Sequence, residues 1–220
     1  MQISKRTLGI LKNFASINQS ILIEEGNTIE TISNIKDVYA KVEVDETFPV
    51  TFAIYDLNEF MGVVSLFDAD ADFDFGEDSL TIKDGNGEQK YYYADQNIIA
   101  RPPEKGITLP EVDVEKNITK ENLGRLAKAA TINNASDITF TEEGIIVHDK
   151  TVPTSNKFKI PCQELKSFKK YNLSISVDKL KMVLDDYDIK ICAKGLCLFK
   201  GASGIDYYVA LQPDGEFSVV

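Results

Sequence analysis

The chain has 220 residues, of which 43% are hydrophobic and 27% charged, a composition typical of globular proteins and unlike that of disordered or membrane proteins. No apolar run approaches the roughly 18 residues that span a bilayer, and the first residues lack a signal-peptide core, so we expect the protein to stay where it is made. The net charge of −11 is concentrated in residues 1–110, where 9 Lys and Arg face 19 Asp and Glu. Such a surface should repel nucleic acid at long range, so any contact with DNA must be local.

The three cysteines, Cys162, Cys192 and Cys197, are odd in number and lack C-x-x-C spacing. This pattern argues against a disulfide framework and against a zinc site. We therefore expect reduced, mostly buried thiols in a reducing cytoplasm, and neither a metal nor a cofactor.

The first residues predict an amphipathic helix over 4–18 that recurs at 119–133, an offset of 115 residues. Aligned at this offset, the two stretches share the following identities: Lys5 with Lys120, Leu8 with Leu123, Gly9 with Gly124, Leu11 with Leu126, Ile17 with Ile132 and Asn18 with Asn133. The chain is therefore predicted to contain two copies of one fold.

Strand-like runs follow the first helix, with a second helix after the fourth run, marked by Leu57, Phe60 and Val64. The predicted strands of this copy are 21–24, 28–32, 38–44, 50–55, 71–75, 79–83 and 89–94. Glu25-Gly26-Asn27 predicts a hairpin between the first two strands. Residues 95–117, with three prolines, are interpreted as the connector between the copies, which are set at 1–108 and 109–220.

The second copy repeats this order. Its predicted strands are 137–141, 145–148, 157–161, 172–175, 189–193, 196–200 and 207–212. A fourth helix, capped by Ser174 or Ser176, is predicted from Val177, Leu180 and Leu184. Each copy is thus predicted as helix, four strands, helix, three strands, an antiparallel α+β fold with two helices on one face of a sheet.

Basic residues occupy the polar faces of three predicted helices. The first presents Lys5, Arg6 and Lys12, the third Lys120, Arg125 and Lys128, and the fourth Lys179 and Lys181. A solvated helix face often carries lysine, but recurrence in an acidic chain favours a surface that faces a polyanion. The second helix differs, because its polar positions contain no basic residue; they are Asp56, Asn58, Glu59 and Ser65.

No group of residues predicts catalysis. The only histidine, His148, has no recognisable nucleophile beside it, and no phosphate-binding glycine loop is found. The Asp68, Asp70, Asp72 and Asp74 series lacks the Gly and the bidentate Glu of a calcium loop, so alternating acids on one face of a strand are the better account. We predict that the protein is not an enzyme.

Several segments resemble the sliding clamps of T-even-type bacteriophages, which hold replicative polymerases on DNA. Residues 11–18 resemble that family's opening helix. Residues 53–58, together with Gly62 and 65–66, resemble its second helix and the strand before that helix. Residues 193–195 and 208–211 resemble its final hairpin. The similarity runs essentially from end to end of the chain, and is loose over 67–95 and 147–171.

This resemblance implies the DNA clamp fold and a homotrimeric ring of six domains that surrounds double-stranded DNA and reads no sequence. Twelve helices of about 10 Å diameter, side by side, leave a hole of roughly 28 Å, wide enough for a duplex. The DNA-facing residues would be Lys5, Arg6, Lys12, Lys120, Arg125, Lys128, Lys179 and Lys181.

The resemblance also implies two protein partners, the replicative DNA polymerase and an ATP-driven clamp loader, in the cytoplasm of an infected bacterium and away from membranes. Their hydrophobic tails would enter a pocket bordered by Ile107, Leu109, Tyr208 and Pro213. A structural or adhesion β-rich viral protein is the alternative that the sequence leaves open, followed by an enzyme of unknown type.

Overall fold

The computed structural model describes residues 1–162 and 169–219, and the chain divides into two compact units, Met1–Gly106 and Ile107–Val220. The first unit contains helices α1 (Lys5–Ile17) and α2 (Leu57–Val64) and a 3-10 turn at Gln96–Ile98. Its strands are β1 (Ile21–Ile23), β2 (Gly26–Ile32), β3 (Val38–Phe48), β4 (Phe52–Ile54), β5 (Asp72–Phe75), β6 (Ser79–Lys83) and β7 (Glu88–Tyr92). This order of helix, four strands, helix and three strands confirms the prediction for the first copy.

The second unit contains one α-helix among its described residues, α3 (Lys120–Asn133), and a 3-10 turn at Val177–Lys179. Its strands are β8 (Val114–Ile118), β9 (Asp137–Thr141), β10 (Gly144–His148), β11 (Phe158–Ile160), β12 (Lys169–Ser176), β13 (Tyr187–Cys192), β14 (Leu196–Gly201), β15 (Ile205–Ala210) and β16 (Glu216–Val219). Strands β8 and β16 were not predicted, and all but the last residue of β8 lies in the segment interpreted as connector.

All pairings within each unit are antiparallel. In the first unit β1 pairs with β4, β2 with β3, and β5, β6 and β7 form a meander. The predicted hairpin between β1 and β2 is therefore wrong: Gly26 has a φ of +124° and turns the chain, but the two strands join different partners. In the second unit the orders are β11-β10-β9-β12-β16 and β8-β13-β14-β15.

The helices bury one apolar face each. In α1 the buried side chains include Ile10, Leu11 and Phe14, and in α2 they include Leu57 and Phe60. Fully burying a side chain such as Phe14 contributes about 1.5–3 kcal/mol relative to leaving it in water, so this face fixes which residues of α1 remain exposed.

The predicted fourth helix is wrong. Only Val177–Lys179 forms a turn, and Ser176 makes no capping hydrogen bond with its side chain. The Val183 amide donates to the Tyr207 hydroxyl at 3.2 Å, and the Tyr187 hydroxyl donates to the Val183 carbonyl at 2.7 Å. Asp185 and Asp186 would also place negative charge at the C-terminal end of such a helix, where the helix dipole disfavours it.

Candidate functional site

The basic face of α1 is exposed, as predicted. Ser4 caps the helix by accepting a hydrogen bond from the Thr7 amide at 3.2 Å, which starts the helix at Lys5. Lys5, Arg6 and Lys12 are exposed on the side opposite the buried Leu11 and Phe14. Lys5 and Lys12 are seven residues apart, which is about 10 Å along the axis at 1.5 Å per residue, so these cations form a short stripe.

An acid from a distant strand holds the start of α1. The Glu46 carboxylate accepts hydrogen bonds from the Ser4 amide and, at 2.7 Å, from the Thr7 hydroxyl. Partial burial raises the pKa of Glu46, but these hydrogen bonds outweigh burial and leave that pKa below its ordinary value. Arg6 donates to the Glu43 carbonyl at 3.2 Å, which anchors part of its guanidinium to the neighbouring strand.

The basic face of α3 is arranged like that of α1. Thr119 caps this helix by accepting from the Asn122 amide, and Lys120, Arg125 and Lys128 are exposed. The guanidinium of Arg125 donates to the Asn122 side chain at 3.2 Å and lies 5.5 Å from the centre of the Phe158 ring. Arg125 is therefore held against the protein surface, whereas the ammonium groups of Lys120 and Lys128 form no ion pair within residues 1–162 and 169–219.

The structure places Lys179 and Lys181 outside any α-helix. Lys179 is half-buried in the 3-10 turn, and its ammonium donates to the Ala210 carbonyl at 3.3 Å. Lys181 is exposed in the loop that follows the turn. These two residues are thus not the helical counterparts of the lysines on α1 and α3.

Helix α2 contributes negative charge, as its sequence indicates. Asp56 caps it by accepting from the Asn58 and Glu59 amides, and these bonds, with one from Gln19, hold the pKa of Asp56 below its ordinary value. Glu59 is exposed beside it. Burial and the two carboxylates raise the pKa of Tyr91. A polyanion would meet no attraction from this helix.

Two further acids and the histidine have structural partners. Asp72 accepts from the Met1 amine at 2.7 Å, and Asp84 accepts from three backbone amides of the turns around it. The ring of His148 shares a 2.9 Å hydrogen bond with the Thr139 hydroxyl.

The four residues predicted for a partner pocket all lie in the second unit. Ile107 and Leu109 are half-buried in the segment before β8, Tyr208 is half-buried on β15, and Pro213 is exposed beyond that strand. The sequence interpretation overlooked Glu46, which binds the amide of the N-cap residue Ser4, and Asp186, which binds the first amide of α3. The sequence offers a signal for Asp186, because Asp72-Phe73-Asp74 matches Asp186-Tyr187-Asp188 between the copies.

Two copies of a helix and antiparallel-sheet unit, with basic helix faces, define the class of DNA clamps. The A. fulgidus PCNA, solved with the C-terminal region of FEN-1, superimposes with a TM-score of 0.68 over 95% of this chain and 96% of that one, at 16% identity, which shows the fold. Residues 4–100 match the family model of DNA polymerase processivity factors.

The sliding clamp of Vibrio phage KVP40 is 31% identical over 96% of this chain and 99% of its own length. That of Enterobacteria phage T4 is 29% identical over 97% and 98% of the two chains. The chain belongs to the sliding-clamp family of bacteriophage DNA polymerase processivity factors. Within residues 1–162 and 169–219, no helix is both long and apolar enough to cross a membrane.

Proposed function

We propose that three copies of this chain close into a ring around duplex DNA, with α1 and α3 facing the phosphates, and tether the replicative polymerase for processive synthesis. The observation that carries the proposal is the pair of exposed basic faces, which begin with Lys5 and Lys120 at repeat-equivalent positions. Residues 1–108 and 109–220 would be the two clamp domains of each copy, and the protein itself performs no catalysis.

Charge explains why a ring suits such a chain. Three copies at −11 each give −33, so the outer field opposes the approach of DNA from any side. The short stripes on α1 and α3 attract phosphates only once the duplex is enclosed. Because lysine contacts to phosphates carry no sequence information, the ring would slide rather than stop at particular sites.

We assign six residues of α1 and α3 to this DNA-facing surface: Lys5, Arg6, Lys12, Lys120, Arg125 and Lys128. Arg125 contributes mainly charge, because Asn122 and Phe158 hold its guanidinium. Lys179 and Lys181 remain proposed DNA-facing residues, now from a turn and a loop instead of a helix.

Hydrophobic tails of the polymerase and of an ATP-dependent clamp loader would dock at Ile107, Leu109, Tyr208 and Pro213. Support comes from the A. fulgidus PCNA, whose structure contains the C-terminal region of a partner protein, and from the partial exposure of these side chains. Both the ring and its partners would operate in the cytoplasm of the infected host.

A primer-extension assay on a long primed circular template tests the proposal. The cognate polymerase, loader and ATP are held constant, and this chain is added or omitted. We expect product length to rise strongly only when chain, loader and ATP are all present. Unchanged product length from a folded protein would reject the proposal and favour the structural viral protein.

A further inference from the structure

An acidic pair and a buried thiol converge at one end of the second unit. Glu111 and Asp113 precede β8, Cys192 ends β13, and one ligand atom from each lies within 4.8 Å of the other two. Glu111 is exposed, Asp113 is half-buried and Cys192 is 0% exposed. The group therefore has a buried sulfur beneath two oxygen donors, with access from solvent on the Glu111 side.

The backbone already positions two of these residues. The Asp113 amide donates to the Ile191 carbonyl at 2.9 Å, and the Asp113 carboxylate accepts from the Ala193 amide at 2.9 Å. Asp113 thus lies against the hairpin turn between β13 and β14, next to Cys192. A carboxylate accepts several bonds, so Asp113 retains a capacity to bind a cation while it holds this turn.

We propose that Glu111, Asp113 and Cys192 form a Zn²⁺ site, with water as the fourth ligand. Zinc binds thiolate at about 2.3 Å and carboxylate oxygen at about 2.0–2.2 Å in tetrahedral geometry, which places ligand atoms about 3.5 Å apart. Side-chain movements of about 1 Å would bring the three donors to this spacing. The absence of C-x-x-C spacing does not weigh against the site, because its donors come from two segments that the fold brings together.

The charges of the site balance when the ion is bound. On binding, the Cys192 thiol would release its proton to water, which leaves a thiolate and two carboxylates with three negative charges. The ion supplies two positive charges, and the Lys194 ammonium, 2.9 Å from a Glu111 oxygen, supplies the third. The sum is zero, and the ion would also offset the repulsion between the two converging carboxylates. Bound zinc would fasten the segment before β8 to the β13–β14 hairpin.

Calorimetry on the full chain, reduced and freed of metal with a chelator, tests the proposal by titration with Zn²⁺. We expect one ion per chain, and with Cd²⁺ an ultraviolet charge-transfer band that reports a sulfur–metal bond. Cys192→Ser should abolish the band, and Glu111→Gln should weaken Zn²⁺ binding at least tenfold. Cys197→Ala, which removes a buried thiol of the adjacent strand, is the matched control and should keep both signals.

Circular dichroism of each variant shows whether it has folded. If Cys192→Ser does not fold, Glu111→Gln decides the question, since an exposed carboxylate is not needed for packing. Three outcomes would each overturn the assignment. These are wild-type Zn²⁺ affinity in folded Glu111→Gln, wild-type Cd²⁺ absorption in Cys192→Ser, and no stoichiometric binding by the wild-type chain.

Discussion

Asp186 accepts a hydrogen bond from the backbone amide of Lys120 at 2.6 Å, which ties the first turn of α3 to the segment that leads into β13. Asp72, which corresponds to Asp186 when Asp72-Phe73-Asp74 is matched with Asp186-Tyr187-Asp188, accepts from the Met1 amine at 2.7 Å, before α1 begins. Aspartates at matched positions of the two copies thus bind the chain near a basic helix, at the first amide of α3 and four residues before α1.

Replacing Asp186 by Ala should destabilise the second unit by about 1 kcal/mol, because a helix amide loses an acceptor and the positive end of the helix dipole loses an anion. Urea unfolding followed by circular dichroism measures the change. Asp188→Ala, an exposed site on β13, is the control and should change stability by less than about 0.5 kcal/mol. Equal effects of the two variants would show that the hydrogen bond to Lys120 contributes nothing specific.

The proposed ring predicts a trimer. Light scattering after size exclusion near physiological salt should give about three times the chain mass of 24.5 kDa, since a head-to-tail contact that closes after three copies leaves no free interface. Dissociation on dilution would indicate a weak interface, whereas a monomer at every concentration would eliminate the ring.

Reversal of charge on the basic helices should separate folding from DNA function. Changing Lys5, Lys12, Lys120 and Lys128 together to Glu should alter stability by no more than about 0.5 kcal/mol per site, because these side chains are exposed. Loader-dependent product length should nevertheless fall sharply, since each copy then presents eight fewer units of favourable charge to phosphate.

The matched control for this variant changes Lys36, Lys83, Lys90 and Lys200 to Glu. These four lysines are exposed outside the α-helices, and the net charge of the two variants is the same. The assignment of α1 and α3 to the DNA-facing surface would be wrong if the helix variant supported full-length synthesis. It would also be wrong if the control variant shortened the products as much as the helix variant does.

Substitutions in the proposed partner pocket should impair peptide binding and leave assembly intact. Ile107→Ser with Leu109→Ser should weaken binding of a C-terminal polymerase peptide at least tenfold, about 1.4 kcal/mol, because hydrophobic anchors dominate such docking. Calorimetry measures the affinity, and light scattering should show an unchanged assembly. Val112→Ser, in the same segment and 45% exposed, is the control. Wild-type affinity in the double variant would place the pocket elsewhere.

Acid should weaken the second unit through Asp137, which is only 2% exposed. Burial raises the pKa of this carboxyl, but hydrogen bonds from Ser136, Lys150 and Gln212 and the Lys150 charge hold the pKa below its ordinary value. The ionised form therefore stabilises the fold above the unfolded-state pKa of about 3.9. That contribution is lost as the pH falls through the lower, folded-state pKa.

We expect Asp137→Asn to lose on the order of 2 kcal/mol at neutral pH, because a buried charged acceptor with three donors is removed. Its free energy of unfolding should then fall less steeply than that of the wild type below about pH 4. Urea unfolding from pH 7 to pH 2 provides the comparison, with Asp188→Asn as an exposed control. Parallel acid profiles of variant and wild type would contradict this role of Asp137.

The sequence predicted most elements because local patterns determine them. Helix α1 alternates buried and exposed residues at the helical period, and β6 and β9 have the predicted bounds. Strand β8 was missed because Lys116 occupies an inward position between Val114 and Ile118, where it is 1% exposed and lies over the Tyr171 ring. A charged residue at a core position conceals the alternation on which strand prediction relies.

The candidate site was predictable only in part. The exposed lysines of α1 and α3 follow from helical periodicity, which the sequence contains. The contact of Arg125 with Phe158 and the meeting of Glu111 with Cys192 depend on segments far apart in the chain. The fourth helix failed for the same reason, since the Tyr207 hydroxyl that binds Val183 lies on a later strand.

That tyrosine contact also affects the order of folding. Helix α2 closes its hydrogen bonds between neighbours along the chain, so it can begin to form before the sheets are complete. The equivalent segment of the second copy needs Tyr207, on β15, to satisfy the Val183 amide. Contacts of greater sequence separation form later, because closing a longer loop costs more entropy. The two copies, built on one plan, should therefore order this segment at different stages of folding, early in the first and late in the second.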